Sequence, residues 1–117
     1  PSLSESGVAE VVEQELQRIP CDKVLRDDAG NVVGICLGRE SEPTILLNCH
    51  MDTVLPCHEK NWRTPPYAAT DRDGHIHGLG ASDCKGGLAA QTHAGILLKR
   101  SLLPLRGNLV IAATVAE

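Results

Sequence analysis

The stretch ILLNCHMDTV, residues 45–54, decides the fold. Together with Thr44 it opens as TILLNC (44–49), an apolar run broken by one Asn. That is the pattern of a strand inside a sheet. The run gives way to His50 and Asp52, one residue apart. The carboxyl ends of strands are where α/β sheets place their sites. If extended geometry persists for three residues, both side chains point the same way. They are poorly suited to grip one ion equally, and a division of labour fits better. His50 binds a divalent metal through one ring nitrogen. Asp52 accepts a hydrogen bond from the other, which sets the ring direction and raises ligand basicity. Taken alone, the pair also fits a solvated strand end.

Working outward, residues 4–19 read as an amphipathic helix. Val8, Val11, Val12, Leu16 and Ile19 recur at spacings of three and four. Ser4 or Ser6 is placed to cap it, and Pro20 ends it. KVLRD (23–27), the turn DDAGN (27–31) and VVGICLG (32–38) predict a hairpin. From His50 to Gly80 there is little periodicity. Pro56, Pro65, Pro66 and the turn DRDG (71–74) interrupt it. So long an irregular stretch is easier to understand if it frames a site. Residues 84–100 predict a helix with Leu88, Ala89, Thr92, Ile96 and Leu97 on one side, and Pro104 stops its continuation. NLVIAATV (108–115) is a second buried-strand candidate. The order predicts a layered α/β domain with a mixed sheet.

Bulk properties bound the function. The 117 residues amount to about one domain, and 42% apolar with 22% charged residues is a globular balance. The net charge of −4 and the scattered basic residues argue against a nucleic-acid partner. With Trp62 and Tyr67 as the aromatic residues, the core must be built from Leu, Val, Ile and Ala. No stretch of 18 apolar residues marks a membrane span, and no signal peptide is evident. The five cysteines contain no CxxC pair, so reduced thiols and a cytoplasmic location are the expectation. The chain starts with Pro and stops just after an apolar strand, which reads as a piece of something longer.

A second chemical island is GLGASDCKGG (78–87). Its glycines permit tight backbone, and Asp83 stands at the start of the following helix, where a carboxylate is favoured. The plain alternative is a Gly-rich turn with Asp83 as an ordinary cap. The island is not a phosphate loop, since it lacks GxxxxGK[ST] and GxGxxG. Nothing links Cys84 to a base, and Lys85 is expected in an ion pair. His93 reads as structural or exposed. HIH (75–77) has ligand-like spacing but follows a DG turn and predicts a short hairpin arm. Glu117 follows the strand 108–115 and so stands at another carboxyl end.

HMDTV (50–54), GLGASDCKGG (78–87) and ATVAE (113–117) together resemble the M20 family of zinc peptidases and aminoacylases. That family includes N-acyl-amino-acid deacylases, succinyl-diaminopimelate desuccinylase and carboxypeptidases. The segment from Trp62 through Pro65, Pro66 and Tyr67 to DGHIHGLG (73–80) is similar to its linking segment, and PSLSESG to the start of its first helix. Leu79 and Cys84 depart from the common pattern. The resemblance implies a mixed-sheet α/β/α catalytic domain, of which residues 1–117 are the N-terminal portion. It further implies that His50 binds one metal, Asp52 orients it, Asp83 bridges two metals and Glu117 is the general base. A second glutamate, a later acidic ligand and a final histidine would follow in the parent, along with a smaller domain often used for dimerisation. The parent's partners would be a small peptide or N-acyl-amino acid, the remainder of its own catalytic domain and, as one expectation, a second copy of itself.

The implied chemistry is amide hydrolysis at two Zn2+ ions held about 3.5 Å apart, with Co2+ or Mn2+ as substitutes. A metal-bound hydroxide attacks the carbonyl, and Glu117 moves the proton to the departing amine. Lacking the later ligands, the isolated chain is expected to be inactive. The competing reading is a catalytically inactive homologue that serves as a binding or structural module.

Overall fold

The computed structural model describes residues 1, 3–18 and 21–117. Helix α1 (Ser6–Gln17) is followed by β1 (Lys23–Arg26), β2 (Val32–Cys36) and β3 (Thr44–His50). A small hairpin of β4 (Thr70–Arg72) and β5 (His75–His77) comes next, then α2 (Gly86–Arg100) and β6 (Asn108–Thr114). The main sheet runs β1-β2-β6-β3. β1–β2 and β2–β6 are antiparallel, whereas β3 and β6 are parallel. This is the mixed sheet the sequence predicts. A parallel pair cannot be joined by a tight turn, and α2 lies within the long crossover that joins β3 to β6.

α1 buries Val12 and Leu16 of its predicted apolar stripe together with Ala9, whereas Val11 is exposed. Its cap differs from expectation. Glu5 holds the cap position, and its carboxylate accepts a hydrogen bond from Leu3 N at 2.9 Å instead of bonding the helix. The expected end at Ile19 and Pro20 lies outside the described residues. Alternate residues Val32 and Cys36 of β2 join Leu109, Ile111 and Ala113 of β6 in one core with Ala9, Val12, Leu16, Leu88 and Ile96. Register makes this possible, because Val32 pairs with Ala113 and Cys36 with Leu109. The amide of Gln91, buried on α2, donates to Ala112 O at 2.8 Å and ties the helix to the sheet.

The turn at 27–31 works through side chains. Asp27 accepts bonds from Gly30 N and Asn31 N, both at 2.9 Å, and from the Asn31 amide at 2.8 Å. The Asn31 amide is the chief reason that this carboxyl is held below its usual range. Asn31 Oδ1 in turn accepts from Val115 N at 2.9 Å, so the turn also fixes the chain two residues before Glu117.

Two expectations are corrected. β3 is not interior. It pairs with β6 alone among the described residues, and Ile45 and Leu46 are 57% and 59% exposed. Nor are all five thiols free: Cys21 and Cys36 are disulfide-bonded, with Cα atoms 4.5 Å apart. Cys21 precedes β1 and Cys36 closes β2, so hairpin register brings together two residues whose sequence spacing carries no motif. No helix among the described residues is long and apolar enough to cross a membrane.

Candidate metal centre

The parallel β3–β6 pairing builds the site. His50 lies opposite Thr114 at the carboxyl end of both strands. The pairing continues one step further, with Met51 N donating to Thr114 O at 2.7 Å. Met51 is fully buried, which anchors the strand end while its neighbours His50 and Asp52 engage other groups. Three residues beyond Thr114, Glu117 reaches back over the same end.

His50 is the hub. Its Nδ1 lies 3.3 Å from Asp52 Oδ1. Its Nε2 lies 2.9 Å from Asp83 Oδ1 and 3.0 Å from Glu117 Oε2. Asp52 is buried, and the same Oδ1 accepts the backbone N–H of Glu117 at 3.2 Å. One carboxylate thus touches both the ring and the backbone that carries Glu117. Asp83 and Glu117 are largely exposed on the far side of the ring. The four residues that the sequence singles out therefore meet at one place.

Asp83 reaches the ring because the backbone before α2 breaks from helical geometry. The turn Ala81–Lys85 has non-helical dihedrals at Asp83 (φ −132°, ψ 93°) and Cys84 (φ −130°, ψ 15°). The helix proper starts at Gly86 with Lys85 in the cap position and no side-chain cap. Asp83 is therefore not the ordinary helix cap of the plain alternative. Gly80 enters the turn at φ +76°, and a Cβ there would stand 3.2 Å from Lys85 Nζ and 3.3 Å from Thr53 Oγ1. Lys85 departs from its expected ion pair and donates to Met51 O at 3.2 Å, bracing the turn against the end of β3.

Electrostatically the cluster calls for a cation. Asp52, Asp83 and Glu117 place three carboxylates around one imidazole. Like charges at such range disfavour one another unless a positive charge lies between them. Without metal, a proton on His50 fills that role. The hydrogen bond to Asp83 raises the imidazole above its ordinary value of 6.5. Burial opposes the rise, and Glu117 and Asp52 add to it. Imidazole nitrogen and carboxylate oxygen are also good donors for a divalent ion, so the residues present fit a metal. An Asp on Nδ1 leaves the Nε2 lone pair facing Asp83 and Glu117, where such an ion would be held.

Sequence reasoning missed the sulfur at this site. Ligand atoms of His50, Asp83 and Cys84 all lie within 4.8 Å of one another. Cys84 lines an open cleft of about 360 Å³ with Asn48, Cys49, His50, Asp83, Thr114 and Glu117. The Cys49 thiol is pushed up to about 11 by burial, with the neighbouring Cys84 adding to the rise. A signal was present, since Cys49 adjoins His50 and Cys84 adjoins Asp83. His75 and His77 stay apart from the centre. Both are exposed on the β4–β5 hairpin, as the DG turn predicts, and His93 is exposed on α2.

Comparison with known proteins agrees with this geometry. The model of peptidase family M20/M25/M40 matches residues 46–117. The uncharacterized protein YgeY of Escherichia coli is 34% identical over 116 residues, covering 99% of this chain and 28% of YgeY. A probable succinyl-diaminopimelate desuccinylase of Staphylococcus epidermidis is 39% identical over 75 residues, 64% of this chain and 18% of that protein. The crystal structure of human carnosine dipeptidase 1 superposes with a TM-score of 0.81 at 21% identity, over 93% of this chain and 26% of that one. The chain belongs to peptidase family M20/M25/M40, and its fold is that of the family's catalytic domain. It spans less than a third of the length of these relatives.

Proposed function

We propose that residues 1–117 form the N-terminal portion of the catalytic domain of a metal-dependent amide hydrolase. The observation that carries this reading is the convergence of Asp83 and Glu117 on His50 Nε2, with Asp52 on Nδ1. His50 and Asp83 would hold the metal, Asp83 offering its two carboxylate oxygens. Zn2+ is the proposed ion, and Co2+ or Mn2+ can take its place at nitrogen and oxygen donors. When bound, the metal supplies Lewis acidity that polarises an amide carbonyl and acidifies water. Asp52 orients the imidazole and, through the N–H of Glu117, places the general base. Glu117 takes a proton from water and passes it to the departing amine. Its large exposure on the cleft side suits a group that must meet both water and substrate.

The remaining ligands and the substrate-recognition groups are assigned to the rest of the parent protein. The open edge of β3, with Ile45 and Leu46 bare, supports an adjoining part of the same domain there. Proposed substrates are small peptides or N-acyl-amino acids, as in aminoacylases, deacetylases and carboxypeptidases. Homodimerisation of the parent, a cytoplasmic location and inactivity of the isolated chain belong to the same reading.

The test is Glu117→Gln in the intact parent. Amide turnover is expected to fall by about 10²–10⁴-fold, the usual contribution of a general base, with bound zinc retained. Unchanged turnover would remove Glu117 from the mechanism.

A further inference from the structure

The centre carries a donor that the hydrolase reading does not use. Cys84 Sγ shares a 4.8 Å cluster with a His50 ring nitrogen and an Asp83 oxygen. Zinc–sulfur and zinc–nitrogen bonds of about 2.3 and 2.0 Å put two donors of one tetrahedral ion roughly 3.5 Å apart. The observed spread is thus within a small side-chain adjustment of common ligation. Asp83 and Cys84 are consecutive, yet both line the His50 cleft, because neither holds helical dihedrals.

The surroundings of the sulfur fit that role. A Cβ built on Gly87 would lie 3.0 Å from Cys49 Sγ and 3.4 Å from Cys84 Sγ, so both thiols crowd one point at the start of α2. A side chain at residue 87 would push into both.

We infer that Cys84 supplies a thiolate to the metal held by His50 and Asp83, making this a mixed nitrogen, oxygen and sulfur site for thiophilic divalent ions. The inference rests on the proposed metal centre and deepens it. A site of imidazole and carboxylate alone accepts Mn2+ and Co2+ as well as Zn2+, whereas a thiolate shifts preference toward Zn2+, Co2+ and Cd2+.

The intact parent loaded with Co2+ tests it spectroscopically. Visible ligand-field bands report that cobalt is bound, and a near-ultraviolet sulfur-to-cobalt charge-transfer band reports a thiolate ligand. The expected result is both sets of bands in the wild type. Loss of the near-ultraviolet band alone is expected in Cys84→Ser, with retention in Cys57→Ser, the control for the exposed free thiol. Cys49→Ser is expected to keep the band, and its loss there would overturn the assignment of the thiolate to Cys84. Visible bands without the charge-transfer band in the wild type, or a band that survives in Cys84→Ser, would overturn the thiolate assignment and leave the metal centre standing. Absence of visible bands would overturn the metal centre and the thiolate together.

Discussion

Two histidine motifs in this chain meet opposite fates. His50 ends β3 among three carboxylates, at a point where a strand end, the turn before α2 and the end of β6 converge. His75 and His77 alternate on β5, their rings 6.2 Å apart, on an exposed hairpin. His75 Nδ1 donates to the carbonyl of Asp73 at 2.8 Å, within its own turn. HIH has ligand-like spacing, as HxD does. What separates them is the number of chain segments that arrive at the same place. A hairpin brings two neighbouring segments together. The β3–α2–β6 crossover brings residues 50, 83 and 117 together.

The comparison can be broken by substitution in the intact parent. Asp52→Asn keeps the shape of the side chain but removes the charge that steadies the ring and can reverse the hydrogen bond to Nδ1. Metal affinity measured by competition with a chelator is expected to fall by about 10–100-fold. An unchanged affinity would put Asp52 on a level with an ordinary strand-end carboxylate. A pH titration of affinity sharpens the same contrast. His50 holds its proton to a higher pH than a free imidazole, so protons compete with metal at higher pH than the ordinary value of 6.5 implies. In the metal-free protein the sign follows from the raised value. The stability contributed by protonated His50 is full below 6.5 and fades as pH rises through the higher folded-state value. Unfolding midpoints of the apo form, measured across this range, should decline accordingly, and a rise would contradict the assignment. The smallest effect is expected from the double substitution His75→Ala, His77→Ala. It should leave metal affinity unchanged, and a loss on the scale of Asp52→Asn would show that the hairpin belongs to the site.

Much of this was legible from pattern. The spacing in α1, the Asp27–Asn31 turn and the two apolar runs 44–49 and 108–115 need only local periodicity, and the structure follows them. The position of β3 was not legible. An apolar run reads as interior whether its second neighbour comes from this segment or from another part of the protein, and here Ile45 and Leu46 lie open. The disulfide was hidden for a related reason. Cys21 and Cys36 are joined by the β1–β2 register, which a count of intervening residues does not specify.

By itself, then, the sequence determined the element order, the mixed α/β class and the identity of His50, Asp52, Asp83 and Glu117 as residues worth placing together. Only the tertiary structure decided that Asp83 faces His50 instead of capping α2, that Asp52 holds the backbone of Glu117 as well as the ring, and that Cys84 and Cys49 stand beside them. The physical reason is range. Helical and strand periods are set by neighbours along the chain. The parallel register of β3 on β6 and the broken turn before α2 are set by packing between distant segments, and those two features aim the side chains.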